Sequence, residues 1–194
     1  MRVFHVQSGA IAESASLPMT LPPKGFLWIA CGRREFELEH GNVQAALQVM
    51  CGTTLVDLHV SDLINNQLPS HYDYTSQYDI VVFRRLAAGH TEHDIEQNGP
   101  THTGAQRRGG PPVLRRIDTS PVGFAVFDRV LLTVHPAGCT VLDQYSARLL
   151  ASASAASRAA GLNLPISPAD LMLRIINQMV DGYLDLRREL TRQL

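Results

Sequence analysis

The chain of 194 residues is 45% hydrophobic and 18% charged, a composition that excludes a disordered polypeptide. At this length about 70% of the unfolded surface is buried on folding, so a core forms without disulfide or metal staples. Seventeen Lys and Arg against 18 Asp and Glu leave a formal charge of -1, without the surplus of cations that nucleic-acid binding uses. Cys31, Cys51 and Cys139 make no CxxC pair, so buried reduced thiols are expected, and neither a disulfide framework nor a zinc ribbon. The first twenty residues hold Arg2 and Glu13 and no continuous apolar run, so no signal peptide is read there. No stretch reaches the roughly 18 uncharged apolar residues that span a bilayer. The expectation is a soluble, cytosolic polypeptide.

In chain order, residues 2–7 predict a short strand, and residues 8–25, with Pro18, Pro22 and Pro23, a turn-rich approach. Phe26 to Ala30 is an apolar run of strand length, closed by Gly32. Asn42 reads as an N-cap. Val43, Ala46, Leu47 and Met50 follow at helical spacing, with Gly52 just past the end. Residues 59–66 predict one or two helical turns, stopped ahead of Pro69. Residues 78–86 are rich in β-branched and aromatic types and predict a buried strand.

Residues 87–120 break the pattern, with five glycines, three prolines and few large apolar residues. Within this expected loop, His90, Glu92, His93 and Asp94 lie close together, and His102 follows. Two imidazoles and two carboxylates in so short a span could hold Zn²⁺, although the spacing is not that of a rigid helical pair. A solvated loop is the alternative. His59 and His135, near element ends, read as structural histidines. Residues 122–127 and 130–135, joined by Asp128-Arg129, then predict a tight β-hairpin.

The rest is helical. Tyr145, Leu149 and Leu150 mark one amphipathic helix. Ser167 caps a last one, with Pro168 at its first position. Met172, Ile176, Met179, Tyr183, Leu186 and Leu190 recur at spacings of four and three, a heptad-type seam. A helix from Pro168 to the end would run ~40 Å at 1.5 Å per residue. It carries no Gly, Asn or Pro stop signal, which suits either a chain cut inside a longer helix or a frayed terminal helix.

The order of these segments resembles the CorA metal-ion transporters. The stretch Leu58-His-Val-Ser-Asp62-Leu-Ile-Asn65, followed by Pro69, is similar to that family's Leu-x-x-Glu-Asp region. Residues 78–83 and the 122–135 hairpin resemble the strands that follow, and Asp170 to Tyr183 resembles the start of the stalk helix. The resemblance runs discontinuously from about Phe26 to the last residue. It implies an α/β/α sandwich around a mixed central sheet. Residues 1–166 would be the cytosolic domain and 167–194 the start of a long stalk helix, truncated before the transmembrane helices. It further implies homopentamers at the cytoplasmic face of the inner membrane, anchored through the missing C-terminal helices, with Mg²⁺ or Co²⁺ as transported or regulatory ion. The zinc-transporting ZntB branch shares the fold and is not separated from CorA by this sequence.

The resemblance also assigns residues. Asp62 matches a carboxylate of the intersubunit regulatory cation site, and hard oxygen donors suit Mg²⁺. Two departures weaken that match: Ser61 stands where the family commonly has Glu, and Asn177 matches another acidic position. Weak or single-site Mg²⁺ binding is therefore expected. The terminal seam is read as stalk or subunit interface. No GxSxG, P-loop, GxGxxG or HExxH motif is present, so no enzyme is expected. The role implied is metal sensing coupled to the stalk; the rival is a stand-alone zinc-binding regulatory domain using His90, His93 and His102.

Overall fold

The computed structural model describes residues 1–7, 10–88, 117–152 and 164–193. The chain runs β1 (Arg2–Gln7), β2 (Ala10–Ser14), β3 (Phe26–Gly32), α1 (Arg33–Cys51), α2 (Asp57–Ile64), β4 (His71–Tyr74), β5 (Tyr78–Arg84), β6 (Ala87–Ala88), β7 (Ile117–Asp118), β8 (Pro121–Phe127), β9 (Val130–His135), α3 (Thr140–Ser152) and α4 (Pro168–Gln193). Seven strands form one mixed sheet in the order β2-β1-β3-β9-β8-β5-β4. Only β3 and β9 pair in parallel; every other neighbour is antiparallel. β6 and β7 form a separate two-stranded ribbon. The expected α/β/α arrangement with a mixed sheet and a long C-terminal helix is the architecture observed. No described helix is long and apolar enough to cross a membrane.

The layering follows from side-chain alternation along the central strands. Leu27, Ile29 and Cys31 of β3, with Ile80 and Val82 of β5, face α1 and α2. Phe26, Trp28 and Ala30, with Phe124 and Val126 of β8, face α3 and α4. Both faces are covered, so the middle strands read as unbroken apolar runs. Trp28 is fully buried, stacks on Phe4 at 4.8 Å, and donates its indole N–H to Thr133 Oγ1 at 3.1 Å. The one polar atom of that side chain thus has a partner, which lets so large a ring be buried at all.

Three local differences from the sequence reading have physical causes. α1 starts at Arg33, directly after β3, and not at Asn42. Phe36 lies one heptad before Val43 and is fully buried, so the packed stripe extends a further two turns. Gly41 and Asn42 sit on the exposed side, where their poor helix propensity is overridden by that packing. Gly52 does end the helix, at φ 73, with its N–H returned to the Gln48 carbonyl. β2 and β4 are the sheet's two edge strands, half-exposed and short, and neither carries the apolar run that marked the central strands.

The start of α4 follows its sequence signals. Ser167 Oγ accepts the Asp170 N–H, and the Asp170 carboxylate accepts the Ile166 N–H and the Arg174 guanidinium. The deepest positions of the helix are Leu171, Ile175, Met179 and Leu186. Met172, Ile176, Tyr183 and Leu190 of the expected seam are half-buried, so over the first two turns the docked stripe runs one residue earlier. α4 packs into the same core as α3 and Trp28. Leu173, Val180 and Leu184 face outward.

Candidate functional site at the corner of α2 and β4

The polar chemistry of the described residues concentrates where α2 crosses the edge of the sheet. Gly123 of β8 makes the approach possible. A Cβ there would press on Cδ2 of the buried Leu63, so the glycine lets that side chain of α2 lie against the strand without shifting. The segment leading into α2 is held by Gln44, whose side-chain amide both accepts the Leu55 N–H and donates to the Leu55 carbonyl, each at 2.7 Å. The Tyr78 hydroxyl accepts the Val56 N–H at 2.9 Å. These contacts satisfy backbone groups at a helix start whose cap, Val56, has no polar side chain.

His59, buried in α2, continues the network. Its Nδ1 lies 2.9 Å from the Tyr78 hydroxyl and its Nε2 3.1 Å from Asp73 Oδ2. That makes it the satisfied structural histidine expected from its place in the sequence. The His59 bond, helped by the Tyr74 N–H, holds the Asp73 carboxyl below the usual carboxylate value. His135, the other such residue, accompanies the Pro136 carbonyl at 3.2 Å, and burial pushes its imidazole below the ordinary value.

Asp62, one turn further along α2, points to β4 and not to solvent alone: 16% of its side chain is exposed, and its Oδ2 lies 3.5 Å from His71 Nε2. His71 Nδ1 lies 3.3 Å from the Pro69 carbonyl. A carbonyl can only accept, so that contact places a proton on Nδ1. Nε2 faces the Asp62 carboxylate. The pair thus offers one imidazole nitrogen and one carboxylate oxygen 3.5 Å apart. A metal-bound histidine commonly gives its other N–H to a backbone carbonyl in this way.

The loop joining the two residues is pinned by Arg84 at the end of β5. Its Nη2 donates to the Asn66 and Leu68 carbonyls at 2.9 and 3.0 Å, and its Nη1 to the Thr119 carbonyl at 2.9 Å. Beside this corner, α1 and α2 enclose an open groove of about 450 Å³, lined by His40, Gln44, Asp57, Val60, Ser61, Ile64 and Asn65. Asp62 is not among its walls.

Ser61 and Asn177, the two positions without the expected acids, are both exposed. Asn177 lies on α4, across the sheet from α2, so within one chain it cannot join Asp62 in a site. Among the described residues no three His, Cys, Asp or Glu side chains gather as a metal-ligand set. His90, His93 and His102 lie outside the described residues. His71 and Arg84 were not singled out from the sequence. The alternation His71-Tyr-Asp73-Tyr was the available signal, since it sets residues 71 and 73 on one face of a strand.

No family model matches this sequence, and no curated protein matches it. Solved structures do share its fold. The cytoplasmic domain of ZntB from Vibrio parahaemolyticus is 12% identical over 97% of this chain and 62% of its own, with a TM-score of 0.57. The CorA magnesium transporter from Methanocaldococcus jannaschii is 11% identical over 99% of this chain and 48% of its own, with a TM-score of 0.63. The full-length CmaX protein is 14% identical over 100% of this chain and 49% of its own, with a TM-score of 0.62. The chain therefore has the fold of the CorA and ZntB cytoplasmic domains, and it spans less than two thirds of the length of each of these structures.

Proposed function

We propose that this chain is the cytoplasmic domain of a CorA- or ZntB-type divalent-cation transporter, with a sensing and coupling role and no catalysis. The observation that carries the reading is the fold match over 97 to 100% of the chain, α4 included, to structures named as a ZntB cytoplasmic domain and a CorA magnesium transporter. In this reading the chain works as part of a membrane-bound homo-oligomer, a pentamer by resemblance, at the cytoplasmic face of the inner membrane. Residues 167–194 begin the stalk, and its exposed apolar positions meet neighbouring copies.

The cation in this reading binds at Asp62, with His71 as a nitrogen ligand and the remaining positions filled by water or a neighbouring subunit. One carboxylate and one imidazole suit Zn²⁺ or Co²⁺ better than Mg²⁺, which favours all-oxygen octahedra. The ion shifts the stalks only as far as it binds one arrangement better than the other.

Calorimetric titration of the chain with Zn²⁺, Co²⁺ and Mg²⁺ tests this. One site per chain is expected, weakest for Mg²⁺, and Asp62→Asn should weaken it at least tenfold. Tight two-site Mg²⁺ binding, or indifference to Asp62→Asn, would overturn it. Loss of Zn²⁺ binding in His90→Ala with His93→Ala, and not in Asp62→Asn, would favour the soluble zinc-binding module instead.

A further inference from the structure

We infer that Arg84 is a coupling residue that joins the Asp62–His71 pair on one face of the sheet to the long helix α4 on the other. The inference deepens the functional reading above, since it names the route by which an event at that pair reaches the helix.

Along β5 the side chains of Tyr78, Ile80 and Val82 face α1 and α2, so Arg84 continues that row. Its guanidinium spans the loop that leaves α2, holding the Asn66 carbonyl through Nη2 and the Leu68 carbonyl through both Nη2 and Nε. Its backbone N–H donates to Ser70 Oγ at 2.8 Å. Asp62 lies three residues before the start of this loop at Asn65, and His71 is the residue directly after Ser70. Arg84 thus fixes the segment whose length and shape set the spacing of the two side chains.

The other half of the link is the Arg84 carbonyl. β4 pairs with β5 only as far as His71↔Val82, so Arg84 has no strand partner on that side. Its carbonyl is taken by the Tyr183 hydroxyl of α4, at 3.3 Å. Tyr183, itself half-buried, lies on the opposite face between the buried Met179 and Leu186. One residue therefore carries the loop on its side chain and N–H, and the helix on its carbonyl. A shift of the loop that rotates this peptide unit moves the acceptor of Tyr183 with it. Chains of packed side chains and hydrogen bonds between rigid elements carry coupling of this kind.

The test is reciprocal and needs no metal. Amide hydrogen exchange is followed by mass spectrometry on the whole chain. Tyr183→Phe, which removes one hydroxyl, should speed exchange in residues 66–71 and at Arg84 by about fivefold, the loss of a hydrogen bond of ordinary strength. Ser70→Ala should reciprocally speed exchange in residues 179–190 of α4. Tyr72→Phe is the control: it removes a hydroxyl bonded to Asp79 on the same edge, away from Arg84, and should leave α4 unchanged. Exchange in α1 should be unaltered throughout, which separates coupling from a general loss of stability. If Tyr183→Phe changes α4 alone and Ser70→Ala changes the loop alone, the inference is overturned. Adding Zn²⁺ or Mg²⁺ to the wild type then tests the functional reading separately. An ion that protects neither segment while the reciprocity holds removes the cation reading and leaves the coupling standing; an ion that protects the loop without reciprocity does the reverse.

Discussion

The two faces of the central sheet are built on different chemistry. On the α3–α4 face, Phe4, Trp28, Phe124 and Tyr145 meet Leu171, Ile175 and Met179 in a dry core, inside which Trp28 bonds to Thr133. On the other face, α1 is seated just as dryly by Phe36, Val43 and Leu47, but α2 is held at its exposed end by His59, Tyr78, Asp73, His71 and Arg84. Apolar contact is non-directional and lost only by removing area. The polar corner depends on directional hydrogen bonds and on the order of its loop. The first face anchors the long helix, and the second carries the candidate site.

The largest expected effect belongs to the dry face. Trp28→Ala should cost about 3–5 kcal/mol, read as a lower denaturant midpoint at unchanged slope. A loss below about 1.5 kcal/mol would mean that this face is not the anchor. Gly123→Ala comes next. Its new methyl must displace Leu63, at about 1–3 kcal/mol, with faster amide exchange in α2 and none in α3. Equal disturbance of both helices would erase the distinction between the faces.

His59→Phe keeps the bulk and removes the bonds to Tyr78 and Asp73, for about 1–2 kcal/mol at neutral pH. Its pH dependence sharpens the contrast. The Asp73 carboxyl is depressed in the folded chain, so its contribution is present above the ordinary carboxylate value and is lost as pH falls through the folded value. The gap in stability between wild type and His59→Phe should narrow as the pH falls below 3.8, the ordinary value for this group. A gap that widens on acidification would refute the assigned role of Asp73. The smallest effect is expected from Glu13→Gln at the β1–β2 edge. It breaks an exposed pair with Arg2 and should change stability by less than about 1 kcal/mol, vanishing in high salt.

Much of the framework was legible from residue patterns. The run at Phe26, the hairpin across Asp128-Arg129 and the Ser167-Pro168 start of α4 each carry a strong local signal, and each forms where that signal places it. β2 and β4 carried none, because an edge strand is half solvated and is defined by pairing with a distant partner. Of the candidate site, only Asp62 was singled out as a ligand from the sequence. Asp62 stood out through its surrounding segment, whereas His71 lay in an unread strand and Arg84 looked like one arginine among many.

The residue pattern by itself placed the central strands and the start of the terminal helix, because these rest on period and local caps, while the class of fold came from the resemblance of the segment order. Tertiary structure decided which stripe of α4 is docked, since Leu171 and Met172 are both apolar and only the packing against α3 and the sheet chooses between them. It also decided that the Asp62 carboxylate meets an imidazole and that Asn177 lies across the sheet from it. Such pairings join residues far apart in the chain or on separate elements, and no local propensity encodes the distance between them.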